Sequence, residues 1–193
     1  MDLYTLFVIL SSILTLVAII PYLVEIVRKK TKPRIVSWIV WTVITTISAV
    51  ASLVDGQYAT AILLFSAAIE TLSVVILGWK NSDKKIERLD IVCFTGAMIG
   101  VVLWQVFNSP ALAVIVTILV DFIGGVPTLV HSWKKPGEET AITFFISAIG
   151  AVCTLLIVVD WQVTSVAYPI FLVGINLLFT SIIVFRKRFL AKK

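Results

Sequence analysis

Two carboxylates, Asp121 and Glu70, lie near the middle of long apolar segments, and that placement makes them the first candidates for chemistry. A carboxylate at the centre of a membrane helix costs roughly 2.5–3.5 kcal/mol on an insertion scale, so such groups face a bundle interior or a wet cavity. A basic partner would normally neutralise them. Every Lys and Arg of this chain falls near the end of an apolar segment instead, so none is available at mid-depth. Each acid must then be protonated, be hydrogen-bonded to hydroxyls and carbonyls, or be neutralised by a bound cation or substrate. The alternative is a neutral acid that only joins helices.

Ser66 and Ser73 stand four before and three after Glu70, on one helical face, and would form a hydroxyl stripe able to hold the carboxyl or a polar ligand. Asn176 shares a face with Thr180, and an amide at that depth must find partners. Trp38, Trp41, Thr42, Thr45, Ala49 and Ser52 form one broad face, and Thr143, Ser147, Gly150 and Thr154 form another at comparable spacing. Small and hydroxylated faces let membrane helices approach closely, and they can equally line a pocket. Trp41 is deep enough to stack on a ligand, whereas Trp38 is expected in an interfacial aromatic belt. Candidate ligand contacts are therefore Asp121, Glu70, Asn176, Trp41, Ser66, Ser73, Thr45 and Ser147. Pro21 and Pro127 each remove a helical hydrogen bond, freeing the carbonyls of Val17 and Ile123. With Gly124 and Gly125 they are candidate hinges. His131 is expected to be interfacial. No paired-histidine metal motif, nucleophile elbow or phosphate loop appears, so no catalytic residue, metal or cofactor is expected, and no enzyme.

These groups need helices to carry them. The chain has 193 residues, 60% of them hydrophobic and 14% charged, with a mean hydropathy of +1.07. Soluble domains carry roughly 25% charged residues, so an all-α integral membrane protein is expected. No Lys or Arg precedes Arg28, so the first apolar run reads as a retained span rather than a cleaved signal. Spans of the required length of about 20 residues are predicted near 3–27, 35–54, 58–79, 89–107, 111–133, 141–159 and 162–185. All 16 Lys and Arg follow spans one, three, five and seven. The other connections carry Asp2, Asp55 and Asp160, with Asn108 in one turn. The positive-inside rule then puts the N-terminus outside and the C-terminus in the cytoplasm. A bacterial inner membrane is the expected location. The net charge of +5 is topogenic, near anionic headgroups, and implies no nucleic-acid partner. Cys93 and Cys153 fall inside spans and read as packing residues.

An internal repeat is also visible. Pro21, Leu23, Val24 and Lys29 recur as Pro127, Leu129, Val130 and Lys135, each 106 residues on. Val54–Asp55 and Gln57 recur as Val159–Asp160 and Gln162 at an offset of 105. The expected organisation is a three-helix repeat over 1–80, a linker helix over 81–108 and a second three-helix repeat over 109–193. An odd linker makes the halves parallel. A 3+1+3 arrangement with a proline late in spans one and five, followed by a basic loop, resembles the SWEET and PQ-loop transporters. This chain has Pro21–Tyr22 and Pro127–Thr128 where members often carry Pro-Gln, and Glu70–Thr71 opposite Asn176 where members pair asparagines. A related architecture occurs in vitamin-precursor transporters of the nicotinamide riboside type. The resemblance implies a carrier or facilitator of a small polar solute (sugar, vitamin, nucleoside or amino acid), working by alternating access, with a proton or cation as a further partner. A non-transporting seven-helix receptor on the same scaffold is the alternative. The oligomeric state is left open.

Overall fold

The computed structural model describes residues 2–54, 56, 58–82, 86–106 and 110–191. Asp55, Gln57, Lys84, Lys85, Asn108, Lys192 and Lys193 lie outside the described residues, as does the side chain of Trp104. The described residues form seven α-helices and no strand: α1 Leu3–Val27, α2 Ile35–Val54, α3 Tyr58–Gly78, α4 Arg88–Val106, α5 Pro110–Lys134, α6 Ala141–Leu156 and α7 Val163–Leu190. A single 3₁₀ turn, Pro136–Glu138, connects α5 to α6.

Local chemistry sets several of these ends. Asp2 caps α1 by accepting from the Thr5 backbone N–H at 2.7 Å. At the other end Lys29 takes the left-handed region (φ 59). The Lys30 N–H then returns to the Glu25 carbonyl at 2.9 Å, closing the helix. α6 stops three residues earlier than its apolar run, where the Ile157 N–H turns back to the Thr154 carbonyl and the Val158 N–H to the Leu155 carbonyl, each at 3.3 Å. α7 runs past its predicted end through the basic turn to Leu190. The prolines at 21, 127 and 169 sit inside continuous helices.

Among the described residues five helices are long and apolar enough to cross a membrane: Leu3–Val27, Ile35–Val54, Ala61–Gly78, Val114–Lys134 and Val163–Leu190. α6 is apolar but has 16 residues, a rise of about 24 Å against a hydrocarbon core of about 30 Å. α4 opens with Arg88 and Asp90. Large apolar side chains point outward on all sides, for example Ile13, Ile62, Ile76 and Val102 at 51–66% exposure. Such a surface suits lipid rather than water, and the chain is an integral membrane protein.

The helices pack in the order α1–α3–α2–α5–α7–α6, and α6 returns to α1 to close the ring. α4 lies outside it against α5 and α2. Gly100 of α4 faces Val120 of α5 with no room for a Cβ, and Gly96 faces Ile123. Small residues one turn apart allow this close approach. The start of α4 is tied to the start of α2 by a buried ion pair. Arg34 Nε donates to Asp90 Oδ1 at 3.0 Å, and its Nη2 donates to Oδ2. Arg34 thus packs inside the protein as well as adding to the basic loop. Cys93 and Cys153 are buried free thiols.

Candidate functional site

The ring encloses a cavity of about 300 Å³ to which α1, α2, α3, α5, α6 and α7 all contribute. Asp121, Glu70, Asn176, Trp41, Thr45 and Ser147 all line it. The repeat seen in the sequence returns here as paired positions. Thr15 and Asp121, Ile19 and Gly125, and Trp38 and Phe144 line the same cavity. So do Trp41 and Ser147, Thr45 and Ala151, and Glu70 and Asn176. Each of these pairs is 106 residues apart. On α3/α7 the offset of 105 read from the outer turns also carries into the cavity, where Ala67 and Leu172, Glu70 and Ile175, and Thr71 and Asn176 all line it.

Asp121 is held by two neutral donors. The Trp41 indole N–H donates to Oδ1 at 2.6 Å, and the Tyr168 hydroxyl donates to Oδ2 at 2.9 Å. One comes from α2 and the other from α7, so the acid joins both halves of the ring. Glu70 differs. Among the described residues its carboxyl has no hydrogen-bond or ion-pair partner, and it faces the cavity from α3. Asn176 donates its amide to the Leu172 carbonyl at 2.8 Å, leaving Oδ1 for the cavity.

Ser66 and Ser73 are not among the lining residues. Their hydroxyls return to the carbonyls of Ile62 and Ile69 at 3.0 and 2.6 Å. The reason is angular. Around an α-helix they stand about 40° and 60° to one side of Glu70, while Ala67 and Thr71 stand about 60° and 100° to the other. The cavity lies on the Ala67–Thr71 side. Glu70 therefore sits at its edge, and the Ser66–Ser73 stripe turns away.

Toward the basic loops the cavity has a packed floor. Tyr22, Ile26, Trp38, Phe144, Phe179 and Ile183 form one buried cluster, with Phe144 and Phe179 stacked at 4.5 Å. Trp38 is 4% exposed and lies 4.8 Å from the Tyr22 ring. This corrects the expectation of an interfacial belt, because Tyr22 covers it from α1. The opposite end has no comparable layer: none of the described residues at 2–10, 50–54 or 154–178 is buried.

Below the floor, the connection after α1 is laced to the connection after α5. The Lys32 N–H donates to the Glu138 carbonyl at 2.8 Å, and the Lys32 ammonium pairs with Glu138 Oε1 at 2.7 Å. Thr31 and Thr140 share a hydroxyl hydrogen bond of 2.5 Å. Tyr22 donates to Glu139 Oε2 at 2.7 Å, while Glu139 Oε1 is buried without a hydrogen-bond partner among the described residues. His131, expected at the interface, is buried instead, with Nε2 3.4 Å from Glu138 and 3.9 Å from Glu139. The 3₁₀ turn folds back over it. Desolvation lifts the Glu139 carboxyl to about 8, with the Tyr22 hydrogen bond opposing and the Glu138 charge adding to the rise.

The candidate hinges fall into two kinds. Pro21 and Pro127 immediately precede the fully buried Tyr22 and Thr128, at the level of the floor. Gly124 and Gly125 are contact points between α5 and α2. A Cβ on Gly124 would meet Val40 Cγ1 at 2.6 Å, and one on Gly125 would meet Trp41 Cζ2 at 3.4 Å. The small size of Gly124 is explained by this crossing without any looseness in the helix, whereas the Gly125 distance is an ordinary contact.

The sequence reading missed Tyr168, Thr15 and the aromatic floor. Tyr168 offered one signal, since a phenol deep in an apolar helix needs a partner for its hydroxyl. Compared with family models, curated proteins and solved structures, the chain matches none.

Proposed function

We propose that this chain is a membrane carrier for a small polar solute, working by alternating access around the central cavity. In this reading the seven helices are two parallel three-helix repeats, 1–80 and 109–193, joined by the linker helix of 81–108. All seven cross the membrane, with the N-terminus outside and the basic loops in the cytoplasm of a bacterial cell. The observation that carries it is the set of repeat-related lining pairs, at a spacing of 106 on α1/α5 and α2/α6 and of 105 on α3/α7. A ligand site at the interface of two repeats near mid-depth is the arrangement that repeat-built carriers use. The ring order supports it too, since exchanging α1, α2 and α3 for α5, α6 and α7 reproduces every contact of the ring. The packed floor then corresponds to a state closed toward the cytoplasm. The resemblance to SWEET and PQ-loop transporters stands on the same features.

The test uses one cysteine at Thr45→Cys, with Cys93→Ala and Cys153→Ala, in proteoliposomes. A membrane-impermeant thiol reagent added from either face should label it. Labelling from the outer face alone, under all solute conditions, would support the non-transporting receptor and sink the carrier.

A further inference from the structure

The hydrogen-bond capacity of the cavity is lopsided, and the imbalance specifies a ligand. Thr15, Thr45, Thr71 and Thr154 line it, and each donates its hydroxyl proton to the carbonyl four residues back, at 2.7 to 3.1 Å. What they turn to the cavity is lone pairs, those of Thr71 shared with the Thr42 hydroxyl that donates to it at 3.0 Å. The Trp41 and Tyr168 donors are committed to Asp121. The Glu70 carboxyl and Asn176 Oδ1 add acceptors without partners among the described residues. Against this stand few free donors: the second N–H of the Asn176 amide, the Trp38 indole and Thr143 hydroxyl, both buried without a hydrogen-bond partner among the described residues, and the Ser147 hydroxyl. Among the described residues no Lys or Arg lines the cavity, whereas two carboxyls and the rings of Trp38, Trp41, Tyr168 and Phe144 do.

An anion would meet two acids and few donors. A neutral polyol offers as many acceptors as donors and would leave Glu70 uncompensated. A cation bearing N–H groups satisfies every term, because it neutralises a carboxylate, supplies the missing donors and sits against aromatic faces. We propose that the ligand of this cavity is a small organic cation carrying N–H donors, an ammonium, amidinium or guanidinium. This rests on the reading of the cavity as the solute site.

The test reads the cavity's preference directly. Purified protein in lipid nanodiscs carries Ser147→Cys with Cys93→Ala and Cys153→Ala. It is modified by methanethiosulfonates bearing an aminoethyl, a trimethylammonioethyl or a sulfonatoethyl group, each rate normalised to that of free mercaptoethanol. The aminoethyl reagent should react about tenfold or more faster than the sulfonate, with the quaternary reagent between them. In Glu70→Gln/Asp121→Asn the advantage should shrink to about twofold or less. Thr45→Cys repeats the measurement from α2 should Ser147→Cys fold poorly. A sulfonate rate equal to or above the aminoethyl rate overturns the proposal, and so does an advantage that survives loss of both acids. Failure of all three reagents in folded protein also overturns it, since the cavity then admits no ligand of this size. Charge preference is independent of which membrane face gives access. A cation-selective cavity reached from one face alone removes the carrier and leaves the ligand class standing. Equal rates in a cavity reached from both faces do the reverse.

Discussion

Trp41 and Tyr168 reach Asp121 from different helices, and each brings a neutral donor to a different carboxyl oxygen. The indole can only donate, so Oδ1 must accept. Removing the phenol in Tyr168→Phe strips Oδ2 of its partner, at a cost of about 1–3 kcal/mol. That corresponds to a fall of roughly 3–10 °C in Tm for a chain of this size. In an Asp121→Asn background the same change should cost far less, because the carboxyl it served is gone. Equal losses in the two backgrounds would show that the phenol acts elsewhere. Glu139 poses a different case, outside the spans. It faces Tyr22 from α1, His131 from α5 and the Glu138–Lys32 pair. On its other side it shares a groove with Glu25, Arg28, Lys30 and Lys187. Its carboxyl is raised from 4.5 to about 8, so the folded protein keeps a proton that the unfolded chain has released. Stability should therefore be fullest below about pH 4.5, fall as pH rises toward 8, and level off above. Tm measured between pH 5 and pH 9 should show this slope, and Glu139→Gln should flatten it. A slope unchanged by the substitution would assign the pH dependence to another group.

At the scale of elements, the α2–α5 crossing depends on a missing side chain. Gly124 lets Val40 lie where a Cβ would go, while a Cβ on Gly125 would only touch Trp41, whose indole reaches Asp121 one turn earlier on α5. Gly124→Ala would place its methyl 2.6 Å from Val40 Cγ1, an overpacking that costs about 1–3 kcal/mol. Adding Val40→Ala should recover part of the lost Tm, since it clears that contact. No recovery would mean that the glycine serves backbone flexibility rather than packing. The sequence carried the helices themselves clearly, because apolar length and charge placement act within each segment. Six of its eight candidate ligand contacts line the cavity, because a polar group at mid-depth must face something wet. Ser66 and Ser73 escaped it, since which flank of Glu70 turns inward is decided by where α2 and α1 pack against α3. Trp38 and His131 escaped it for a related reason. Depth alone puts both at an interface, but each is covered by another segment, Tyr22 of α1 over one and the nearby Pro136–Glu138 turn over the other.

At the scale of the whole molecule, the basic end is shut by contacts between the two connections that follow the proline-bearing helices. Lys32 with Glu138, Thr31 with Thr140 and Tyr22 with Glu139 all join the first half to the second, across 106 to 117 residues. If the halves rock about Pro21 and Pro127, these bonds must break together for the cavity to open toward the cytoplasm. The opposite end has no such lacing and need not change first. Thr31→Cys with Thr140→Cys tests this, because their hydroxyls already lie 2.5 Å apart, close to the approach a disulfide needs. With Cys93 and Cys153 replaced by alanine, the oxidised pair should abolish labelling of Thr45→Cys from the basic face and leave labelling from the other face intact. Reduction should restore two-sided access. If the oxidised protein still admits reagent from the basic side, the path to the cavity runs elsewhere. The groove beside Glu25, Arg28 and Lys187 would then be the segment to cross-link next.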